Sequence, residues 1–169
     1  MPEKETIQRA QRDRQEGKSP STQAGEFVRE EMHHIREGKH GARSPKQAIA
    51  IGLSKARRAG VKLAAPKKGK ASAQTRHKAE RDLQKGQTAQ NRKPSPARSR
   101  ATSKALKREG HSAASRKSLA RQARSTARSR GTSARHQAAM KAVRTKGKVG
   151  LKRAARKAAH TRTSHRRVA

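Results

Sequence analysis

The sequence predicts a mostly α-helical chain: a short helical hairpin over about residues 24–37 and 45–59, followed by a long, conditionally helical or disordered basic tail. Three observations carry that expectation. Apolar residues make up 29% and aromatics 1% of the 169 residues, with Phe27 the one benzenoid ring, so little of the chain can bury a dry core. Apolar residues recur at helical spacing in one short region, at Val28, Met32 and Ile35 and again at Ile49, Leu53 and Ala56. Charge is also unevenly placed: eight of the eleven acids lie at or before Glu37, whereas residues 38–169 hold 39 Lys+Arg against Glu80, Asp82 and Glu109.

Residues 1–23 form a charged N-terminal segment. From Glu3 to Glu16 it is made of good helix formers and stops at Gly17, but only Ile7 is strongly apolar, so a helix without a packing partner is expected. Residues 24–64 are the hairpin. Its first helix carries Phe27, Val28, Met32 and Ile35 and ends before Gly38. Its second has the best start in the chain, where Ser44 caps, Pro45 takes the first helical position and Gln47 completes a capping box. Ala48, Ile49, Leu53 and Ala56 share one broad face with Ile51 beside it, Gly60 ends the helix, and Val61 and Leu63 extend the core. Burying these few side chains falls short of the entropy of ordering about 35 residues, so the hairpin is expected to need self-association, a partner or nucleic acid for stability.

Residues 65–169 are a low-complexity Lys/Arg/Ala/Ser-rich tail. Residues 65–70 and 91–96 read as linkers, with a helix over 71–85 between them closed by Gly86. From Gly110 onward there is no acid and there are 18 Lys+Arg. Lys117, Arg121, Arg124 and Arg128 recur at intervals of 4, 3 and 4, so a helix would align them as one cationic stripe. Lys141, Arg144 and Lys148 repeat the pattern, and Arg153, Arg156 and Lys157 do so in part. Like charges at i, i+4 repel by a few tenths of a kcal/mol per pair, and phosphates would relieve this, so folding on binding is expected.

The net charge of +35 demands a polyanionic partner. Single-strand and RNA modules stack bases on aromatic rings, and Phe27 is better placed in a core, so duplex DNA is favoured over RNA. Phosphate contacts carry affinity without sequence information, which predicts salt-sensitive and sequence-blind binding. No phosphate loop, nucleophile elbow or paired-carboxylate pocket is present, so no enzyme, no catalytic residue and no cofactor is expected.

The absence of cysteine excludes a disulfide framework and thiolate zinc sites. His33, His34 and His40 stand beside Glu30, Glu31 and Glu37, but HExxH spacing is missing and a mostly exposed polar face with no metal is expected. Ser95-Pro96-Ala97-Arg98 matches the Ser-Pro-x-basic turn of eukaryotic histone tails. No apolar run approaches the ~20 residues of a membrane span, and Met1 to Ala10 lack a secretory core, so the expected location is cytoplasmic, at the bacterial nucleoid.

The block Glu26-Phe27-Val28-Arg29-Glu30-Glu31-Met32-His33-His34-Ile35-Arg36-Glu37-Gly38-Lys39, followed by Ser44-Pro45-Lys46-Gln47-Ala48-Ile49-Ala50-Ile51-Gly52-Leu53-Ser54-Lys55-Ala56-Arg57-Arg58-Ala59-Gly60, resembles an uncharacterised bacterial family of small basic proteins. Some members of that family are labelled DNA-binding or plasmid stabilisation proteins. The resemblance covers roughly residues 24–64, and the tail is similar in style to bacterial histone-H1-like proteins. The resemblance implies a bacterial origin, while the charge distribution points to a histone-like nucleoid-associated or plasmid-accessory protein, in which the hairpin self-associates or docks and the tail neutralises DNA. An RNA- or ribosome-associated basic protein, and a partner-binding module with an electrostatic anchor, are the alternatives.

Overall fold

In the computed structural model, which describes residues 2–88 and 95–166, the hairpin is formed by two helices consecutive in the chain and packed together, α2 (Pro20–Arg36) and α3 (Pro45–Arg58). Before them comes α1 (Lys4–Gln15); after them come α4 (Ala73–Gln87), α5 (Pro96–Lys107), a 3-10 turn at Ser112–Ala114, α6 (Arg116–Ser129) and α7 (Gly131–Arg166). The chain divides into two compact units, Met1–Gln122 and Ala123–Ala169.

In the first unit, α2 starts four residues earlier than the sequence suggests, because Ser19 is extended and Pro20 supplies a preset φ for the first turn. At α3 the capping is as expected at Ser44, whose Oγ accepts from the Gln47 backbone N at 3.3 Å. The Gln47 side chain reaches back one residue further than a standard box, its Oε1 accepting from the Arg43 backbone N at 2.8 Å. The two helices cross at Gly52, where an added Cβ would lie 2.7 Å from Val28 Cα, so only glycine permits the approach.

Two apolar clusters flank this crossing. Phe27 and Ala56 pack with Ala10, Ala24 and Val61, supported by Ile7, Leu53 and Leu63. Met32, Ile35 and Ala48 pack with Ala42, Ala113 and Ala114, supported by Val28, Ile49 and Leu119.

These clusters correct the picture of an isolated hairpin with a disordered tail. The N-terminal segment does pack: α1 lies on α2 and buries Thr6, Ala10 and Asp13. Small side chains suffice for this contact, which is why a search for large apolar residues overlooks it. Lys18 ties the α1 end to Asp13 by an ion pair of 2.7 Å, and its carbonyl accepts from Gln23 Nε2 at 2.8 Å. Helix α4 packs on α3 and ends at Gln87, one residue past Gly86, where the missing Cβ lets the helix approach the Arg57 carbonyl closely. Arg57 is itself buried, donating from Nε to the Leu63 carbonyl at 3.1 Å and from Nη2 to the Ala64 carbonyl at 3.3 Å.

The start of the basic tail closes the same core. The Gly41 and Ala42 amides donate to the Leu106 and Gly110 carbonyls at 2.9 and 3.0 Å, and Arg36 Nε donates to the Ala114 carbonyl at 3.0 Å. Nearby chain therefore supplies the apolar burial that two helices lack. The linker expected at 91–96 falls partly outside the described residues; within them, Ser95 caps α5, its Oγ accepting from the Arg98 backbone N at 3.3 Å.

The second unit is helical as well. Gly131, at φ 74°, separates α6 from α7. Within α7 the helix is broken at Gly147, whose φ of 62° and ψ of 176° belong to a region open essentially to glycine. Ala, Arg and Lys are among the strongest helix formers, and their propensity outweighs i, i+4 repulsion of a few tenths of a kcal/mol per pair. Among the described residues, no helix is long and apolar enough to cross a membrane.

Candidate nucleic-acid interface

The cationic residues expected to contact phosphate all fall on helices. Lys117, Arg121, Arg124 and Arg128 lie in α6, which has the sharpest segregation of apolar and charged positions among the described helices, and all four are exposed. Lys141, Arg144, Lys148, Arg153, Arg156 and Lys157 lie in α7 and are exposed. No acid follows Glu109 to neutralise any of them.

One grouping changes. Lys141 and Arg144 precede the break at Gly147 and Lys148 follows it, so the 3, 4 spacing does not make a continuous face across these three. Arg153, Arg156 and Lys157 stay together on the helical stretch beyond the break.

The Ser95-Pro96-Ala97-Arg98 motif forms the first turn of α5, with Ser95 as its cap. Its local conformation is thus accounted for by helix initiation.

A second charged constellation sits inside the first unit, and here the expected exposed polar face is corrected. Glu30 and Glu31 of α2 are 3% and 1% exposed. Lys55 of α3 points at both, its Nζ 2.6 Å from Glu31 Oε2 and 3.6 Å from Glu30 Oε1. His40, from the loop between the helices, brings Nε2 to 3.0 Å from Glu31 Oε1. Glu30 Oε2 accepts from the Glu3 backbone N at 3.3 Å, which joins the start of α1 to the cluster.

At the rim, His34 Nε2 lies 2.8 Å from Glu3 Oε1 and Lys39 Nζ lies 3.2 Å from the same oxygen. The hydrogen bonds from His34 and then Lys39 hold the Glu3 carboxyl below the usual carboxylate value. Lys39 is raised in turn, first by its bond to Glu37 and then by Glu3. Arg57 moves the other way, its guanidinium pKa lowered by burial.

The sequence signal for this cluster was partial. Glu30 and Glu31 stand four and three residues before His34, a spacing that places them on adjoining positions of one helix surface. What the spacing could not convey is burial, which comes from Lys55, 24 residues beyond Glu31, and from the packing of α1.

Fold and surface together define a mostly helical, polycationic chain in which no acid follows Glu109. Residues 17–69 match a family of unknown function, DUF6496. The matched span takes in α2, α3 and the loop that carries His40, and so includes the buried cluster but none of the cationic positions in α6 and α7. No curated protein and no solved structure matches the chain.

Proposed function

We propose that this chain is a non-sequence-specific DNA-binding protein of the histone-like, nucleoid-associated or plasmid-accessory kind, with no enzymatic activity, acting at the bacterial nucleoid by phosphate neutralisation. The carrying observation is the run of 60 residues from Gly110 with 18 Lys+Arg and no acid. Helices α6 and α7 support the reading: Lys117, Arg121, Arg124 and Arg128 are exposed at a repeating 4, 3, 4 spacing on α6, and Lys141, Arg144, Lys148, Arg153, Arg156 and Lys157 are exposed on α7 to either side of its break. The chain's one phenyl, phenol or indole ring, Phe27, is 1% exposed and so does not offer the usual stacking platform of single-strand recognition. The first unit, with its paired and buried charges, serves as the docking or self-associating part in this reading.

The test is binding of the full chain to unrelated duplexes across a salt series, with structured RNA as competitor at matched phosphate. Equal affinities for the duplexes and a linear fall of log K with log salt, about 0.9 per phosphate contact, are expected. Replacing Lys117, Arg121, Arg124 and Arg128 together by Gln reduces that slope by about 3 to 4, on the basis of ~0.9 for each lost contact. A salt-independent affinity, or preference for the RNA, overturns the proposal.

A further inference from the structure

We propose that Glu31, His34 and His40 form a binding site for a divalent transition-metal ion of the zinc type. One ligand atom from each lies within 4.8 Å of both others. Imidazole nitrogens with one carboxylate oxygen are the donor set of zinc and its neighbours, whereas calcium and magnesium favour oxygen alone.

Three further observations favour a cation there. The Glu31 side chain is 1% exposed; Lys55 takes its Oε2 at 2.6 Å, while its Oε1 has no partner in hydrogen-bond geometry. His40 Nε2 lies 3.0 Å from Glu31 Oε1 without forming such a bond, close to the ~3.3 Å that separates two donors bound at about 2.0 Å to one tetrahedral ion. The other nitrogen of the same ring is committed: His40 Nδ1 donates to the Gly41 carbonyl at 3.0 Å. In the neutral ring this leaves the Nε2 lone pair on the side of Glu31. A second ring nitrogen donating to a backbone carbonyl is the arrangement that orients metal-ligating histidines.

The neighbouring charges are compatible. Glu30 and Glu31 bring two carboxylates against one ammonium, Lys55, so the buried cluster keeps an excess negative charge for a cation to meet. Lys55 engages Glu31 through Oε2, which leaves Oε1 as the coordinating oxygen. The His34 and His40 rings stand edge to face with centroids 6.0 Å apart, and their side chains are 12% and 16% exposed. A polar cleft lined by Glu3, Glu30, His34 and Lys39 among others reaches His34 from solvent.

The experiment titrates the untagged, metal-free full chain with Co2+ and reads its visible ligand-field bands, followed by competition with Zn2+. Saturation at one Co2+ per chain, with bands diagnostic of nitrogen ligation and lost on adding Zn2+, is expected. Glu31→Gln and His40→Gln each weaken binding by at least about tenfold, while His77→Gln, at an exposed position of α4, leaves it unchanged. Far-ultraviolet circular dichroism checks that each variant is folded. Should the variants unfold, the unmodified chain still decides: paramagnetic broadening by Co2+ falls on the His34 and His40 ring resonances and spares those of His77 and His136. Absence of a saturable spectrum, equal binding by folded His40→Gln, or broadening confined to the other histidines overturns the site.

Discussion

Around α2 in the first unit, acids are drawn inward to meet basic side chains: Glu30 and Glu31 are 3% and 1% exposed and face Lys55 and His40. In the second, every Lys and Arg from Arg124 to Lys157 is exposed, and even Met140, Val143 and Val149 are 54%, 46% and 74% exposed. Both are helical and built from similar residues. The difference lies in the acids, eight of which stand within the first 37 residues while none follows Glu109. A helix whose cations have local counter-charges can pack against its neighbours; one without them keeps its charged surface in water until a polyanion arrives.

The comparison is broken most severely by removing the core of one side only. Phe27→Ala costs the first unit about 3–5 kcal/mol, and its cooperative thermal transition should collapse while amide exchange in α7 is unaltered. Lys55→Met comes next, leaving two buried carboxylates facing each other without their ammonium, at about 3 kcal/mol measured by urea unfolding. Adding Glu31→Gln to that variant should recover part of the loss, which a double-mutant cycle reads directly.

Gly52→Ala tests the close crossing of α2 and α3: the new methyl meets the Val28 backbone, and a loss on the order of 1–3 kcal/mol is expected from denaturant midpoints. In the second unit the sign reverses. Gly147→Ala abolishes a backbone conformation available only to glycine and favours continuous helix by about 1 kcal/mol, read as increased helical ellipticity. The smallest effect is at Lys18, raised by hydrogen bonds to Asp13 and then Glu16. A raised lysine stabilises fully below its ordinary value of 10.5 and loses that contribution as pH climbs through the folded value. The stability difference between Lys18→Met and the native chain should therefore narrow only at strongly alkaline pH.

Much of the hairpin was legible in the sequence, because Ser44-Pro45 and the 28, 32, 35 spacing are local signals. The end of α3 was equally legible, at Arg58 just before Gly60. The burial of α1 was not, since the contact uses Thr6 and Ala10, residues whose small size permits close approach without announcing it. Nor was the return of Ala113 and Ala114 to the core, a contact some 80 residues distant in the chain from Met32 and Ile35. The exposed cationic positions were readable one by one from periodicity, but the interruption at Gly147 depends on a backbone angle that spacing does not encode. His40 was visible only as a loop histidine; its meeting with Glu31 needed the turn between α2 and α3.

Phe27 is the sole source of benzenoid ultraviolet absorption in this chain, which has neither tryptophan nor tyrosine, and its ring is 1% exposed. Its fine-structured absorption and dichroism therefore report one place, the packing between α1, α2 and α3, without any engineered label. Nucleic acid would mask that signal in absorbance but not in nuclear magnetic resonance, where the ring current of Phe27 shifts the methyl groups of its apolar neighbours. The same scarcity makes concentration measurements by ordinary protein absorbance unsuitable for this chain, so stoichiometries are best set by amino-acid analysis.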